Sequence, residues 1–202
     1  MIDLDAFTGA LEPDGDYEAL AFDGLDLSGQ HADHARFIDC VLHGCTLDAT
    51  DLDHAQLLDT TLREVHAGTL DLVDATWRDV EIVDCRLGAV QAYGGALTRV
   101  TVHGGKIDYL NLREAHLTDV RLDGCVIGDL DLIGARVTRL VIDDCRIGRL
   151  DLTRAELTDV DLRRADLSRL DGLAGLAGAT ISPEQLLDLA GALAAHLRIT
   201  VA

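Results

Sequence analysis

The sequence predicts an all-β solenoid with coils of twenty residues and a single α-helix near the C-terminus. The first observation is a period of five. Thirty positions from Phe22 to Leu167, with residue numbers ending in 2 or 7, are apolar, and 27 of them hold Leu, Ile, Val, Phe or Trp. This period matches neither the 3.6 residues of a helical turn nor the alternation of a strand. The repeating unit therefore turns a corner every five residues, which is typical of a solenoid.

The second observation shows how many five-residue units close one coil. From residue 60 onward, the position two residues before each apolar centre alternates between large and small side chains, as in the run Val80, Cys85, Val90, Gly95, Val100. Four units in a square coil place the large residues on two opposite faces, which suits a narrow, close-packed interior. Trp77 fits this arrangement, because the small Ala67 lies ten residues earlier and would face it across a twenty-residue coil.

The chain divides into three parts from the N-terminus onward. Residues 1–19 lack a strong repeat, contain the turn sequence Glu12-Pro13-Asp14-Gly15, and carry six acidic residues and no basic one. They are predicted to cap the open end of the solenoid, since an uncapped coil leaves backbone groups unpaired. Residues 20–170 hold the repeats, about seven and a half coils that span roughly 36 Å at strand spacing.

Residues 171–202 form the third part, a C-terminal helix followed by a short strand. Ser182, Pro183 and Gln185 have the spacing of a capping box with proline at the first helical position. Apolar residues then recur at helical spacing, and Leu197, Ile199 and Val201 alternate as in a strand.

Composition indicates a cytoplasmic protein without a membrane segment. The N-terminus has neither a basic start nor an apolar core of a secretory signal, and no apolar run approaches membrane-spanning length. The cysteines occupy positions that otherwise hold alanine or valine, so they are interpreted as buried thiols in a reducing compartment: Cys40, Cys45, Cys85, Cys125 and Cys145.

The sequence contains no motif for catalysis, a cofactor or a metal. The common hydrolase, metalloprotease and redox signatures do not occur. His34 and His54 lie beside Asp33 and Asp53 on successive coils, but two exposed imidazoles do not make a closed ligand set. We therefore expect no enzyme activity, no cofactor and no metal site.

Two units, Ala165-Asp166-Leu167-Ser168-Arg169 and Ala155-Glu156-Leu157-Thr158-Asp159, resemble the repeat of the pentapeptide-repeat family. The resemblance covers about 150 residues, and it implies a right-handed quadrilateral β-helix. The terminal helix and strand are similar to the ending of the family members that protect DNA gyrase, of the fluoroquinolone- and albicidin-resistance types.

In those members the ending joins two solenoids end to end, and the rod mimics duplex DNA. The resemblance therefore implies a homodimer with this interface: Leu186, Leu189, Ala190, Leu193, Leu197, Ile199 and Val201. The alternative is a helix that only caps its own chain.

Charge gives an independent indication of the partner. A net charge of −19 excludes direct nucleic-acid binding, which needs Lys and Arg to neutralise phosphates. Spread over the coils, this is about one negative charge per 2 Å, close to the 1.7 Å of duplex DNA. Carboxylates recur at twenty-residue spacing along one face and one corner, and the candidate partner-binding residues are Asp39, Asp51, Asp53, Asp59, Asp71, Asp79, Asp131 and Asp151.

The acidic charge is uneven along the chain. Residues 1–95 carry 20 acidic and 4 basic residues, whereas residues 96–169 carry 13 and 12. The first interpretation is a DNA mimic that binds DNA gyrase or another type II topoisomerase and protects it from a poison or modulates it. A scaffold for a different protein is the alternative, and an acidic surface that only maintains solubility also fits the composition.

Overall fold

The chain winds into parallel β-coils in which paired residues lie twenty positions apart, except in the first and last strand pairs. This is seen in a computed structural model that describes residues 4–201. Trp77 pairs in register with Leu57 and Leu97, and Val120 pairs with Val100 and Leu140. The predicted all-β solenoid, with about eight turns and one C-terminal helix, is confirmed.

Within residues 4–201, twenty-two short strands make up the coils. They are β1 (Asp5–Ala6), β2 (Asp16–Glu18), β3 (Leu20–Asp23), β4 (Arg36–Ile38), β5 (Val41–His43), β6 (Thr50–Asp51), β7 (Gln56–Leu58), β8 (Thr61–Arg63), β9 (His66–Asp71), β10 (Thr76–Val83), β11 (Arg86–Gln91), β12 (Ala96–His103), β13 (Lys106–Asn111), β14 (His116–Asp123), β15 (Val126–Asp131), β16 (Arg136–Asp143), β17 (Arg146–Asp151), β18 (Glu156–Thr158), β19 (Val160–Asp161), β20 (Asp166–Leu167), β21 (Leu170–Asp171) and β22 (Ala179–Thr180). They form a 14-stranded and an 8-stranded sheet, and all their strand pairs are parallel.

The apolar centres fill the interior, as the period of five predicts. All of them from Phe22 to Leu162 are buried, and Leu167 at the C-terminal end is half-buried. A cavity of about 30 Å³ remains beside Trp77, lined only by apolar side chains and the indole. The indole Nε1 is buried and has no hydrogen-bond partner within residues 4–201.

All five cysteines are free thiols in the core, which confirms their interpretation as small buried residues. The Cys40 thiol donates to the main-chain oxygen of Tyr17 at 3.3 Å. Burial raises the pKa of Cys40, Cys45 and Cys85, so these thiols stay protonated.

The coil turns at corners that use the left-handed backbone conformation. One corner passes through Asp39, Asp59, Asp79, Asp119 and Asp159, whose φ angles are 53°, 50°, 56°, 56° and 54°. Aspartate tolerates this conformation better than most residues. The corner therefore presents one side chain per coil at a fixed backbone geometry.

A one-turn 3₁₀-helix (Leu173–Leu176) and β22 close the last coil, and helix α1 (Pro183–His196) follows. The capping box is confirmed, because Ser182 Oγ accepts from Gln185 N at 3.2 Å and Ser182 N donates to Gln185 Oε1 at 2.7 Å. None of the described helices has the length and apolar character needed to cross a membrane.

The strand predicted after the helix does not form. Ile199 N donates to Ala194 O at 2.8 Å, so the chain after Leu197 folds back on the last helical turn. Alternation of apolar residues does not produce a strand here, because no neighbouring strand takes up the hydrogen bonds of residues 197–201.

Candidate interaction surface

A column of polar side chains crosses the coils on one face. Asp51 lies in register with His31 on one side and Asp71 on the other. The column continues through Gln91, Asn111, Asp131, Asp151 and Asp171. Parallel pairing places these side chains about 4.8 Å apart, so the backbone fixes their spacing.

The first part of this face column is open to solvent. The Asp51 side chain is 33% exposed, and the His31 imidazole lies beside it, with Nδ1 at 3.5 Å from Oδ2. Asp71 is half-buried, and no Lys or Arg nitrogen of residues 4–201 lies within 4.0 Å of its carboxylate. Neither of these two carboxylates is paired with a Lys or Arg side chain of residues 4–201.

Asp53 lies beside them on the same coil edge as Asp51. Its carboxylate accepts a hydrogen bond from Val73 N at 2.8 Å. Burial raises the pKa of Asp53, and the nearby charges of Asp51 and Asp71 raise it further, while the Val73 N–H opposes the shift. The three carboxylates thus form a local concentration of negative charge.

The later part of the column differs from the expected solvent-facing ladder. Asp131 and Asp151 are only 1% and 4% exposed. Arg113 Nε lies 2.7 Å from Asp131 Oδ2, and Arg149 donates to Asp151 Oδ2 at 2.7 Å. The guanidinium groups cover and neutralise both carboxylates, so neither carboxylate is accessible to a partner protein.

The corner column shows the same division along the rod. Arg99 makes two hydrogen bonds to Asp79, at 2.5 and 2.6 Å, and Arg139 makes two to Asp119, at 2.5 and 2.8 Å. Asp39 has no Lys or Arg nitrogen of the described chain within 4.0 Å, and Asp59 has none either.

The two halves of the rod also differ in how many of their carboxylates are paired with a Lys or Arg side chain. Among residues 4–95, only Asp16 and Asp79 lie within 4.0 Å of a Lys or Arg nitrogen. Most carboxylates beyond residue 95 are paired: Asp108, Asp119, Asp123, Asp131, Asp129, Asp143, Asp144, Asp151, Glu156, Asp161, Asp166 and Asp171. Uncompensated negative charge is therefore concentrated in the N-terminal half.

The two histidines singled out by the sequence are stacked. The rings of His34 and His54 lie 4.7 Å apart with an interplanar angle of 13°. Within residues 4–201, no group of three His, Cys, Asp or Glu side chains is arranged to hold a metal ion.

The C-terminal helix exposes a second, apolar surface. Leu186 is 50% exposed, and the residues beyond the helix, Leu197, Ile199 and Val201, are also exposed. Leu189 and Leu193 are half-buried, and Ala190 is exposed. Leu187, which the helical stripe did not include, is 76% exposed.

Three solved structures, one of them of a pentapeptide-repeat protein, are similar to this chain at low identity. One is HetL, involved in heterocyst differentiation regulation in the cyanobacterium Nostoc sp. strain PCC 7120, at 18% identity, covering 86% of this chain and 92% of HetL with a TM-score of 0.34. Two are trypsin-treated forms of QnrB1, a plasmid-mediated fluoroquinolone resistance protein. Their identities are 15% and 19%, covering 98% and 93% of this chain and 96% and 100% of QnrB1, both with a TM-score of 0.35.

No curated protein matches the sequence. Two family models do match it, one of a pentapeptide repeat region over residues 17–92 and one of pentapeptide repeats, a model of eight copies, over residues 143–171. Together these matches cover about half of the chain, and both lie within the coils described above. The chain belongs to the pentapeptide-repeat family.

Proposed function

We propose that this protein is a non-enzymatic interaction rod whose acidic N-terminal half binds a basic surface of a partner protein. The observation that supports this is the row of carboxylates without internal cations, at Asp39, Asp51, Asp53, Asp59 and Asp71. They stand on coils whose spacing is fixed by backbone hydrogen bonds, so little backbone freedom must be lost on binding.

The proposed partner is DNA gyrase or a related type II topoisomerase, which the protein would protect from a poison or modulate. Residues 1–95 hold a net charge of −16. Over about 23 Å of rod this is one negative charge per roughly 1.4 Å, denser than the 1.7 Å of duplex DNA. A protein groove that binds DNA through its phosphates has the charge to accept such a surface.

We propose that the active form is a homodimer joined through the C-terminal helix. The exposed Leu186, Leu197, Ile199 and Val201 supply an apolar surface that a second copy would cover. In this arrangement the two acidic halves lie at the far ends of the rod, and the dimer presents two separate acidic sites. The five buried thiols suit a reducing compartment, and we place the protein in the cytoplasm.

A scaffold for a different basic protein is the alternative. The near-neutral second half of the rod favours this alternative. Ion pairs there neutralise the carboxylates, so this half offers little negative potential to a protein groove that binds a long DNA duplex. Both proposals use the same acidic surface and differ in the partner.

Gyrase supercoiling and poison-induced DNA cleavage, measured with and without the purified protein, test the proposal. The test variant is the triple Asp39→Asn, Asp59→Asn, Asp71→Asn. The control is Asp108→Asn, Glu156→Gln, Asp166→Asn, which removes the same charge from exposed residues of the other half. We expect the test variant to lose at least tenfold in potency, the control to lose less than about twofold, and the effect of the native protein to weaken steeply with salt.

Equal losses in the two triple variants would mean that net charge, and not this surface, is responsible. No effect of the native protein on supercoiling or on poisoned cleavage at micromolar concentration would exclude gyrase. Cross-linking of the full-length protein in cells would then identify the basic partner that the scaffold alternative requires.

A further inference from the structure

We infer that the corner formed by Asp39 and Asp59 is a receptor site for an arginine side chain of the partner protein. The inference rests on the proposed function to the extent that the partner is basic. It adds which residue type the partner inserts, and where.

The chain contains two examples of this recognition at equivalent corners. The guanidinium of Arg99 makes a two-point contact with the carboxylate of Asp79, which lies twenty residues earlier on the preceding coil. Arg139 repeats the contact with Asp119. This corner geometry therefore presents a carboxylate in a way that a guanidinium can bind through two parallel hydrogen bonds.

Asp39 and Asp59 have the same backbone but no such arginine. Their φ angles of 53° and 50° lie within a few degrees of the 56° of Asp79 and Asp119. The residue twenty positions after Asp39 is Asp59 itself. Two aspartates therefore occupy adjacent coils, whose backbones are about 4.8 Å apart, where later coils place an Asp–Arg pair. Neither has a Lys or Arg nitrogen of the described chain within 4.0 Å.

The site is a depression and not only a pair of charges. A surface cavity of about 260 Å³ is lined by Leu4, Asp39, Cys40, Val41, Asp59 and Thr61. Leu4 and Val41 are half-buried and offer apolar walls to the methylene stem of a long side chain. The carboxylates receive its charged end. A long aliphatic stem that ends in a cation is the chemistry this cavity complements.

Arginine fits the site better than lysine. Its planar guanidinium presents a fork of donors that matches a carboxylate, whereas the lysine ammonium acts as a point charge with stronger hydration. The two internal pairs at Asp79 and Asp119 also use both Nε and a terminal nitrogen of the guanidinium, which lysine does not have.

A peptide titration tests the site independently of any natural partner. The probes are acetyl-Gly-Arg-Gly-amide and its lysine counterpart, added to the ¹⁵N-labelled full-length protein at low salt. We expect the arginine peptide to shift the backbone amides of residues 39–41 and 59–61 first, and to bind at least threefold more tightly than the lysine peptide.

A variant that fills the site from within sharpens the test. Asp59→Arg places an arginine twenty residues after Asp39, as Arg99 follows Asp79. The matched control is Asp74→Arg, at an exposed left-handed corner with φ of 54°, which changes the charge equally and leaves the cavity open. We expect Asp59→Arg to weaken binding of the arginine peptide at least tenfold, the control to weaken it less than threefold, and both to keep the native circular-dichroism spectrum.

Amide shifts spread over all acidic residues, with equal affinity for the two peptides, would overturn the receptor site and leave the proposed function standing. Equal weakening by Asp59→Arg and Asp74→Arg would overturn it as well. Arginine binding at this corner in a protein that has no effect on gyrase would support the site and exclude that partner.

Discussion

Gln185 in helix α1 donates its side-chain amide to the main-chain oxygen of Leu162 at 2.7 Å, which fastens the helix to the last full coil. The same amide also donates to Ala165 O at 2.8 Å, while its Oε1 accepts from Ser182 N. One side chain thus completes the capping box and donates to two carbonyl groups at the end of the solenoid.

Replacing Gln185 with alanine should therefore detach the helix from the coil. The change removes the reciprocal cap and leaves two carbonyl groups without this donor, at a cost of about 1–2 kcal/mol. Urea unfolding followed by circular dichroism measures it, with Gln56→Ala on the exposed face of β7 as the control. An unchanged midpoint for Gln185→Ala would show that the helix is held by its apolar contacts alone.

Ala67→Leu should overpack the coil that contains Trp77. Ala67 is buried, and the twenty-residue coil places it across the interior from the buried indole. Added methylene groups in a packed core cost about 1–3 kcal/mol. Ala96→Leu on the exposed face of β12 is the control for the same chemical change. Native-like urea stability of Ala67→Leu would contradict the proposed proximity of the two side chains.

Light scattering should report about twice the chain mass of 21.7 kDa, because the apolar surface of the C-terminal helix is proposed to be covered by a second copy. Leu186→Asp combined with Ile199→Asp should give a folded monomer, since both residues are exposed in the single chain. Leu4 lies at the opposite end, so Leu4→Asp should leave the mass unchanged. A monomeric native protein would remove the proposed dimer.

Two aspartates should respond to pH in opposite directions. Burial raises the pKa of Asp53, so its contribution favours folding at pH values below the unfolded pKa and is lost as pH rises through the folded one. The Arg163 side chain lowers the pKa of Asp161 to about 2, with the Arg163 N–H adding to it. Its contribution is therefore present above the unfolded value of 3.8 and is lost as pH falls toward about 2.

Asp53→Asn should accordingly raise the free energy of unfolding at pH 7, with a gain that shrinks toward pH 4. Asp161→Asn should lower it at pH 7 by less than about 1 kcal/mol, since its partner lies on the surface. Urea midpoints measured from pH 3 to pH 7 give both profiles. A stability loss for Asp53→Asn at pH 7 would mean that its hydrogen bond from Val73 outweighs its burial.

The coil could be predicted from sequence because its requirements repeat. Each five-residue unit must bring an apolar side chain into the same narrow interior, so the sequence shows this requirement thirty times. Ala67 and Trp77 depart from the common side-chain size, and their spacing indicates which residues face each other across the coil. The capping box could also be predicted from sequence, because Ser182 and Gln185 interact within one helical turn.

The exposure of the carboxylates could not be predicted in the same way. Asp131 and Asp51 occupy equivalent positions, yet Asp131 is buried because Arg113, from the preceding coil, reaches it. Whether a long side chain spans two coils depends on its rotamer and its neighbours. The strand predicted at residues 197–201 was wrong for a related reason, since a strand depends on a partner segment that local alternation does not reveal.

The constant register also makes the length of the rod adjustable in whole steps. Thr76 pairs with Ala96, and Ala96 pairs with His116. Deletion of residues 96–115 would therefore bring His116 into the place of Ala96 and shorten the rod by about 4.8 Å. Both ends would keep their structures, and each remaining strand would keep a partner. Gain or loss of whole twenty-residue coils during evolution can thus change the distance between the two ends of the rod in fixed steps, while the residues at each end stay the same.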